Sequence, residues 1–291
     1  MNVHHLELFY YVARHGGITE AVRNIPYGIQ QPAVSSQIIQ LEQFLGVKLL
    51  NRRPFELSTA GKRLSEFITP FFSNLDRVAD EIRGGEAQHL RIGASATVLR
   101  DHLPELLQSV RKKFSKLKLT LFDGHQPETM AWLEKQEIDL AVTLLETKMP
   151  AGTHAVPLLQ LPLVLLVERN HPLRSAAELW KQDQIEETLI TLPPGEAIVK
   201  NFQVGLSRLG VDWFSGIKVS SLDLVETYAA NGFGIGLSVA VPKARLRPEV
   251  RALPLPDFPP VALGVVWRGK ITPLGQAVLD ELKLKAQRLA T

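Results

Sequence analysis

The side chains best suited to chemistry in these 291 residues stand close together near the N-terminus. Gln31, Ser35, Ser36, Gln37 and Gln40 interleave with Val34, Ile38, Leu41 and Leu45, whose spacings are 4, 3 and 4. On a helix that spacing gathers the aliphatic residues on one face and leaves the amides and hydroxyls on the other. A glutamine amide pairs bidentately with adenine in the major groove, and a serine hydroxyl makes a more permissive contact. A helix buried behind and amide-rich in front is the kind that reads base edges. Lys48, Arg52, Arg53, Lys62 and Arg63 follow within positions 48–63, a cationic cluster suited to phosphate or minor-groove contacts. Three short helices also occur in proteins that touch no DNA, so on pattern alone a solvated basic loop is an equal reading.

The elements that must position these residues follow from periodicity. Leu6, Phe9, Tyr10 and Ala13 predict a first helix over Val3–His15, ended by Gly16-Gly17. A second short helix, about Thr19–Ile25, runs into Pro26-Tyr27-Gly28, and the third starts near Gln31-Pro32 and closes at Gly46. Val47–Leu50 and Phe55–Leu57 flank the basic turn Asn51–Pro54 as a β-wing. Thr59 is placed to cap a longer helix reaching about Arg83, on which Leu64, Ile68, Phe71, Leu75, Val78 and Ile82 recur at 4, 3, 4, 3, 4. That is a heptad seam suited to self-association, with an interior Pro70 expected to kink it. Gly84-Gly85 then opens a linker with a domain boundary near 88.

From Leu90 onward strands alternate with helices, which implies parallel sheets flanked by helices and, over some 200 residues, two linked α/β lobes with a ligand cleft between them. The absence of cysteine removes disulfide scaffolds and thiol chemistry and suits a reducing cytoplasm. No secretory signal is read at Met1–His5, and no run of about 18 apolar residues predicts a membrane span. The eight histidines show no metal-ligand spacing, and no GxSxG elbow or P-loop occurs, so no catalytic residue, cofactor or metal is assigned. Gly232-Phe233-Gly234-Ile235-Gly236 lacks dinucleotide spacing and reads as close backbone packing.

Three stretches carry a specific resemblance: Leu6–Ala13, Gln31–Ser35 and Leu41–Arg52, followed by Leu57–Gly61. They resemble the LysR-type transcriptional regulators, as do Leu90–Ser95, Glu137–Val142 and Asn231–Gly236 farther along. The resemblance implies an α+β multidomain fold in three parts. A winged helix-turn-helix spans 1–58 and a linker (dimerisation) helix with hinge spans 59–88. A two-lobed, periplasmic-binding-protein-like effector domain spans 89–291, with lobe I about 89–162 plus 263–291 and lobe II about 163–262. DNA contacts carry over to Gln31, Pro32, Ser35 and Ser36 and to Arg52 and Arg53, beside Gln40 from the helix pattern. Effector contacts fall on Ser95, Thr97, Arg100, Thr129, Thr143, Pro194 and Gly195. Two departures stand out: the turn Ile25–Gln30 is longer than the family's usual one and puts Gln30 where a serine or threonine commonly caps the helix, and Ser36 replaces a frequent arginine.

The implied function is transcription regulation in the cytoplasm, through a pseudo-palindromic double-stranded operator and a small anionic effector. The implied assembly is a homotetramer made of dimers, with RNA polymerase as a further partner. Two other classes remain open at this point: a solute-binding module without DNA affinity, and an α/β enzyme with a helical extension.

Overall fold

The computed structural model describes residues 2–52, 54–82, 89–146, 149–182 and 184–290. The chain divides into two compact units, Met1–Glu86 with Lys135–Glu137, and Ala87–Glu134 with Ile138–Thr291. Arg53 and the Gly84-Gly85 linker lie outside the described residues, as do the side chains of Arg52 and Ile82.

In the first unit α1 (Val3–Arg14), α2 (Ile18–Asn24) and α3 (Gln31–Leu45) close around Leu8, Phe9, Val12, Ala21, Val34, Ile38 and Leu41. The expected aliphatic stripe of α3 is thus its buried face. Gly46 ends α3 with φ 71°, the left-handed conformation that lets its N–H return to the carbonyls of the last turn. The wing is β1 (Leu50–Arg52) and β2 (Phe55–Leu57), antiparallel in register Leu50↔Leu57, Asn51↔Glu56 and Arg52↔Phe55. Its first strand starts later than the expected Val47 because the Glu42 carboxylate intercepts the backbone. That buried side chain accepts the Leu49 N–H at 2.8 Å and the Leu50 N–H at 3.4 Å, and Lys48 Nζ donates to it at 3.2 Å.

α4 (Thr59–Ile82) is capped by Ser58 rather than by Thr59. Ser58 Oγ accepts the Gly61 N–H at 3.0 Å and donates to the Lys48 carbonyl at 2.6 Å, tying the helix start to the wing. Gly61 is required there, since a Cβ would lie 1.9 Å from the Leu49 carbonyl oxygen. α4 continues through Pro70 without interruption. Its seam divides. Ile68 is buried in the core of the first unit, Leu64 and Phe72 pack against it, and Phe72 stacks on Tyr10 at 5.4 Å. Leu64 and Ile68, expected in the self-association seam, are spent on their own unit, whereas Phe67, Phe71, Leu75 and Val78 stay exposed.

The second unit holds two five-stranded sheets. The first contains β3 (His89–Ala94), β4 (Lys118–Asp123), β5 (Leu140–Leu144), β6 (Thr153–Leu161) and β12 (Val261–Arg268), in the order β4-β3-β5-β12-β6. It is covered by α5 (Leu103–Lys113), α6 (Gln126–Glu134) and α9 (Pro273–Ala290). The second contains β7 (Leu163–Glu168), β8 (Leu189–Thr191), β9 (Ser215–Lys218), β10 (Ile235–Val239) and β11 (Val250–Pro254), in the order β11-β7-β10-β8-β9, with α7 (Ala197–Leu209) and α8 (Leu222–Ala230) against it. The sheets are mixed rather than parallel. In each, three parallel strands are extended through two antiparallel pairings, so that one strand, β12 or β7, runs against the other four.

Proline explains the strands that break the alternation. Pro162 separates β6 from β7, and β6 with Pro157 and β11 with Pro254 are both edge strands, where a missing N–H costs no ladder bond. The chain passes from the first sheet to the second at Pro162 and returns between β11 and β12. Gly234 and Gly236 serve packing, as expected: a Cβ would lie 2.1 Å from the Thr188 carbonyl oxygen and 2.6 Å from Val225 Cγ1 respectively.

Candidate nucleic-acid interface and ligand cleft

With Val34, Ile38 and Leu41 inward, helical geometry turns Gln31, Pro32, Ser36 and Gln40 fully outward and leaves Ser35 half-buried at the margin. None of the side chains of Gln31, Ser35, Ser36 and Gln40 hydrogen-bonds to another described residue, so their donors and acceptors remain unspent. Gln30 is the N-cap of α3 but makes no side-chain cap bond, so the first-turn amides are left to solvent or to an anion. The six residues between α2 and α3, 25–30, bury only Ile25 among them. Lys48, Lys62 and Arg63 are exposed; Lys48 is paired with Glu42, whereas Lys62 and Arg63 have no ion pair among the described residues. These cations stand on the wing and the first turn of α4, which Glu42 and Ser58 anchor to α3 and to each other.

In the second unit the candidate ligand residues gather where an α/β sheet presents polar groups, beyond the carboxyl ends of parallel strands. Ser95 follows β3 and is half-buried; Thr97 is exposed and precedes a π-helical turn, Val98–His102, that leads into α5. Arg100 does not stand as an available cation, because Nε and one terminal nitrogen each reach an Asp101 carboxylate oxygen at 2.9 Å. Thr129, expected to line the cleft, is fully buried and its hydroxyl donates to the Gln126 carbonyl at 3.0 Å, so it belongs to the packing of α6. Thr143 is buried near the end of β5, and Pro194 and Gly195 are exposed in the loop after β8.

Two residues not singled out from sequence meet where the starts of α6 and α7 come together. Gln126, at the start of α6, is 5% exposed; its Oε1 accepts the Ala197 N–H at 3.1 Å, from the first turn of α7, while its Nε2 has no partner. Glu196, the N-cap of α7, is 4% exposed and its carboxylate makes no hydrogen bond to any described residue. Burial pushes the Glu196 pKa up; the Glu128 carboxylate adds to the shift, and His125 and Lys200 oppose it. Neither residue has a sequence signature: an isolated glutamine or glutamate gains meaning only when folding removes its water. Elsewhere Arg91 clamps Asp139 through two side-chain bonds, at 2.7 and 3.2 Å, and its own N–H, at 2.8 Å, binding the starts of β3 and β5 together.

Comparison with known families agrees with this layout. Residues 3–62 match the family described as bacterial regulatory helix-turn-helix protein, lysR family, and residues 83–287 match the LysR substrate binding domain. The chain belongs to the LysR family. Among curated LysR-type relatives, the hydrogen peroxide-inducible genes activator of Dickeya chrysanthemi is 28% identical over 305 residues, covering 100% of this chain and 99% of that one. The transcriptional activator protein LysR of Escherichia coli is 29% identical over 258 residues, covering 84% and 79%. A full-length cysteine-to-aspartate variant of OxyR from Pseudomonas aeruginosa matches in fold with TM-score 0.69 at 19% identity, covering 98% of this chain and 95% of that one. CbnR complexed with its target DNA matches with TM-score 0.67 at 20% identity, covering 98% and 100%.

The LysR family is one of DNA-binding transcriptional regulators with an effector-binding domain, not of enzymes. The fold class read from sequence, an N-terminal winged helix-turn-helix joined to a C-terminal α/β effector-binding domain, is the observed one, with sheets that are mixed where parallel ones were expected. No helix among the described residues is long and apolar enough to cross a membrane.

The buried glutamate gives a pH signature. Its raised pKa means that the folded chain holds the proton more tightly than the unfolded chain, so stability falls as pH rises from the ordinary value of 4.5 through the folded one. Glu196→Gln should therefore melt at a higher temperature than the parent at about pH 7.5 and converge with it near about pH 4 in thermal unfolding scans. A constant difference across that range would show that the carboxylate is not buried in its charged form.

Proposed function

We propose that α3 reads an operator through Gln31, Pro32, Ser35, Ser36 and Gln40, with Arg52 and Arg53 of the wing on phosphate or in the minor groove. The observation that carries this reading is the exposed, hydrogen-bond-free polar edge of α3, set on a helix whose other face is locked into a core. Lys62 and Arg63 at the start of α4 add unpaired positive charge on the wing side. Domain limits of 1–58, 59–88 and 89–291 accompany the reading. It places the protein in the cytoplasm, with RNA polymerase as a further partner.

Two heads would engage a pseudo-palindromic site if α4 pairs through Phe67, Phe71, Leu75 and Val78, apolar residues that a monomer leaves in water. A homotetramer built from two such dimers is the assembly we favour. Leu75→Asp is expected to shift sedimentation toward smaller species; an unchanged sedimentation coefficient would reject this face of α4 as the contact.

The effector is a small metabolite bound between the sheets of the second unit. Its anionic group would sit at Ser95 and Thr97, with Thr143, Pro194 and Gly195 around it. Because Arg100 is already neutralised by Asp101, hydroxyls and backbone amides supply the anion's contacts in this reading. A ligand that prefers one arrangement of the two sheets shifts the population of that arrangement and with it the heads. Relatives are named for induction by hydrogen peroxide, and one matched structure is a cysteine-to-aspartate form of OxyR. The 291 residues here contain no cysteine, so a thiol switch is not open to this chain.

The test is a pair of titrations, against an operator selected from random duplexes and against random DNA. Arg52→Ala and Arg53→Ala should weaken both alike and each lower the salt slope by about 1. Gln31→Ala and Ser35→Ala should chiefly erode discrimination between the two DNAs, by about 1–3 kcal/mol for the glutamine. Equal discrimination in parent and Gln31→Ala, with a normal salt slope, would reject α3 as the reading helix.

A further inference from the structure

We infer that the effector carries a protonated amine, held by Glu196, and an adjacent hydrogen-bond acceptor that faces Gln126, which makes it a zwitterion of the amino-acid class rather than a simple acid. The inference rests on the proposed effector cleft and names the chemistry of its occupant.

A buried polar group without a partner is costly, and native structures tolerate few of them. Here one such group stands beside an acceptor of the opposite hydrogen-bonding sense. Gln126, which binds Ala197 through Oε1, offers a buried Nε2 donor without a partner, and the adjoining Glu196 offers at the head of α7 a carboxylate that no described residue hydrogen-bonds. The two side chains come from different sheets, and their loops touch: a Cβ on Gly195 would meet Pro127 Cγ at 3.9 Å. Helix capping does not account for Glu196, because its side chain makes no cap bond, and an acidic group at that place would ordinarily bond the free N–H groups of the first turn. The neighbouring His125 and Lys200 offset the charge of Glu196 only in part. Lys200, on the next turn, gives its ammonium to Glu146 at 2.9 Å, and Glu128, on α6, accepts the His125 N–H at 2.8 Å and adds negative charge. His125 is the remaining basic neighbour. A ligand consisting only of an acid would bring like charge to this wall. An ammonium with a carboxylate on the neighbouring carbon satisfies Glu196 and Gln126 together, and a second acidic group, where the side chain carries one, would be left for Ser95 and Thr97.

The experiment titrates the full chain by calorimetry with the twenty common L-amino acids and, for each, the matching acid without the amine, such as propionate for alanine and succinate for aspartate. At least one amino acid should bind, and its deamino partner should bind about ten- to a hundred-fold more weakly, the range for a charge-assisted hydrogen bond. Glu196→Gln should reduce binding of the amino acid by a similar factor without reducing that of the acid, and Glu196→Asp should recover part of the loss. Deamino acids that bind as tightly, amino-acid binding that survives Glu196→Gln, or no binding in either series would each overturn the amine assignment. Binding of a deamino acid that still alters operator affinity would overturn it while leaving the effector reading in place. If neither series, nor any metabolite extract, shifts operator affinity, the effector reading falls as well.

Discussion

Helix α3 satisfies two environments within fifteen residues, and the first unit is organised around that requirement. Val34, Ile38 and Leu41 are driven out of water, and burying each such side chain is worth about 1.5–3 kcal/mol. Because the helical period is fixed, burying those three positions leaves Gln31, Ser36 and Gln40 nowhere to go but outward. The polar edge is therefore a consequence of the core. It is presented rigidly because the residues behind it cannot move without opening a cavity.

The buried Glu42 carboxylate extends this rigidity to the wing. A charge in an apolar setting is stable only when hydrogen-bonded, and the groups that satisfy it are the backbone N–H groups of Leu49 and Leu50 and the Lys48 ammonium. One side chain of α3 thereby fixes where the basic turn begins. Ser58 continues the chain of contacts, joining the Lys48 carbonyl to the first turn of α4. The polar edge of α3, Lys48 and the first turn of α4 are thus held in a common frame by a few short polar contacts.

Much of this was legible in the sequence wherever a period or a glycine carried it. The α3 stripe, the wing, and the packing role of Gly234 and Gly236 follow from spacing, as do most strands of the second unit. What escaped were features that depend on partners distant in sequence. The antiparallel extension of both sheets is invisible locally, since strand direction is decided by where the chain re-enters the sheet. The α4 seam looked uniform at 4, 3, 4, 3, 4 spacing, yet Ile68 is spent on the core that contains Tyr10 and Phe72. Thr129 shares its type with the cleft candidates but points its hydroxyl back into its own helix. Gln126 and Glu196 had no local signal, because their meaning lies in the loss of solvent and of partners on folding.

In the proposed complex the outward edge of α3 lies against base pairs. The chain lacks cysteine, so a Ser36→Cys variant has a single attachment point for an iron chelate that cleaves nearby DNA. On a selected operator, the expected result is cleavage confined to bases within the half-sites and abolished by salt that releases the protein. Uniform background cleavage while the labelled protein remains bound would contradict it.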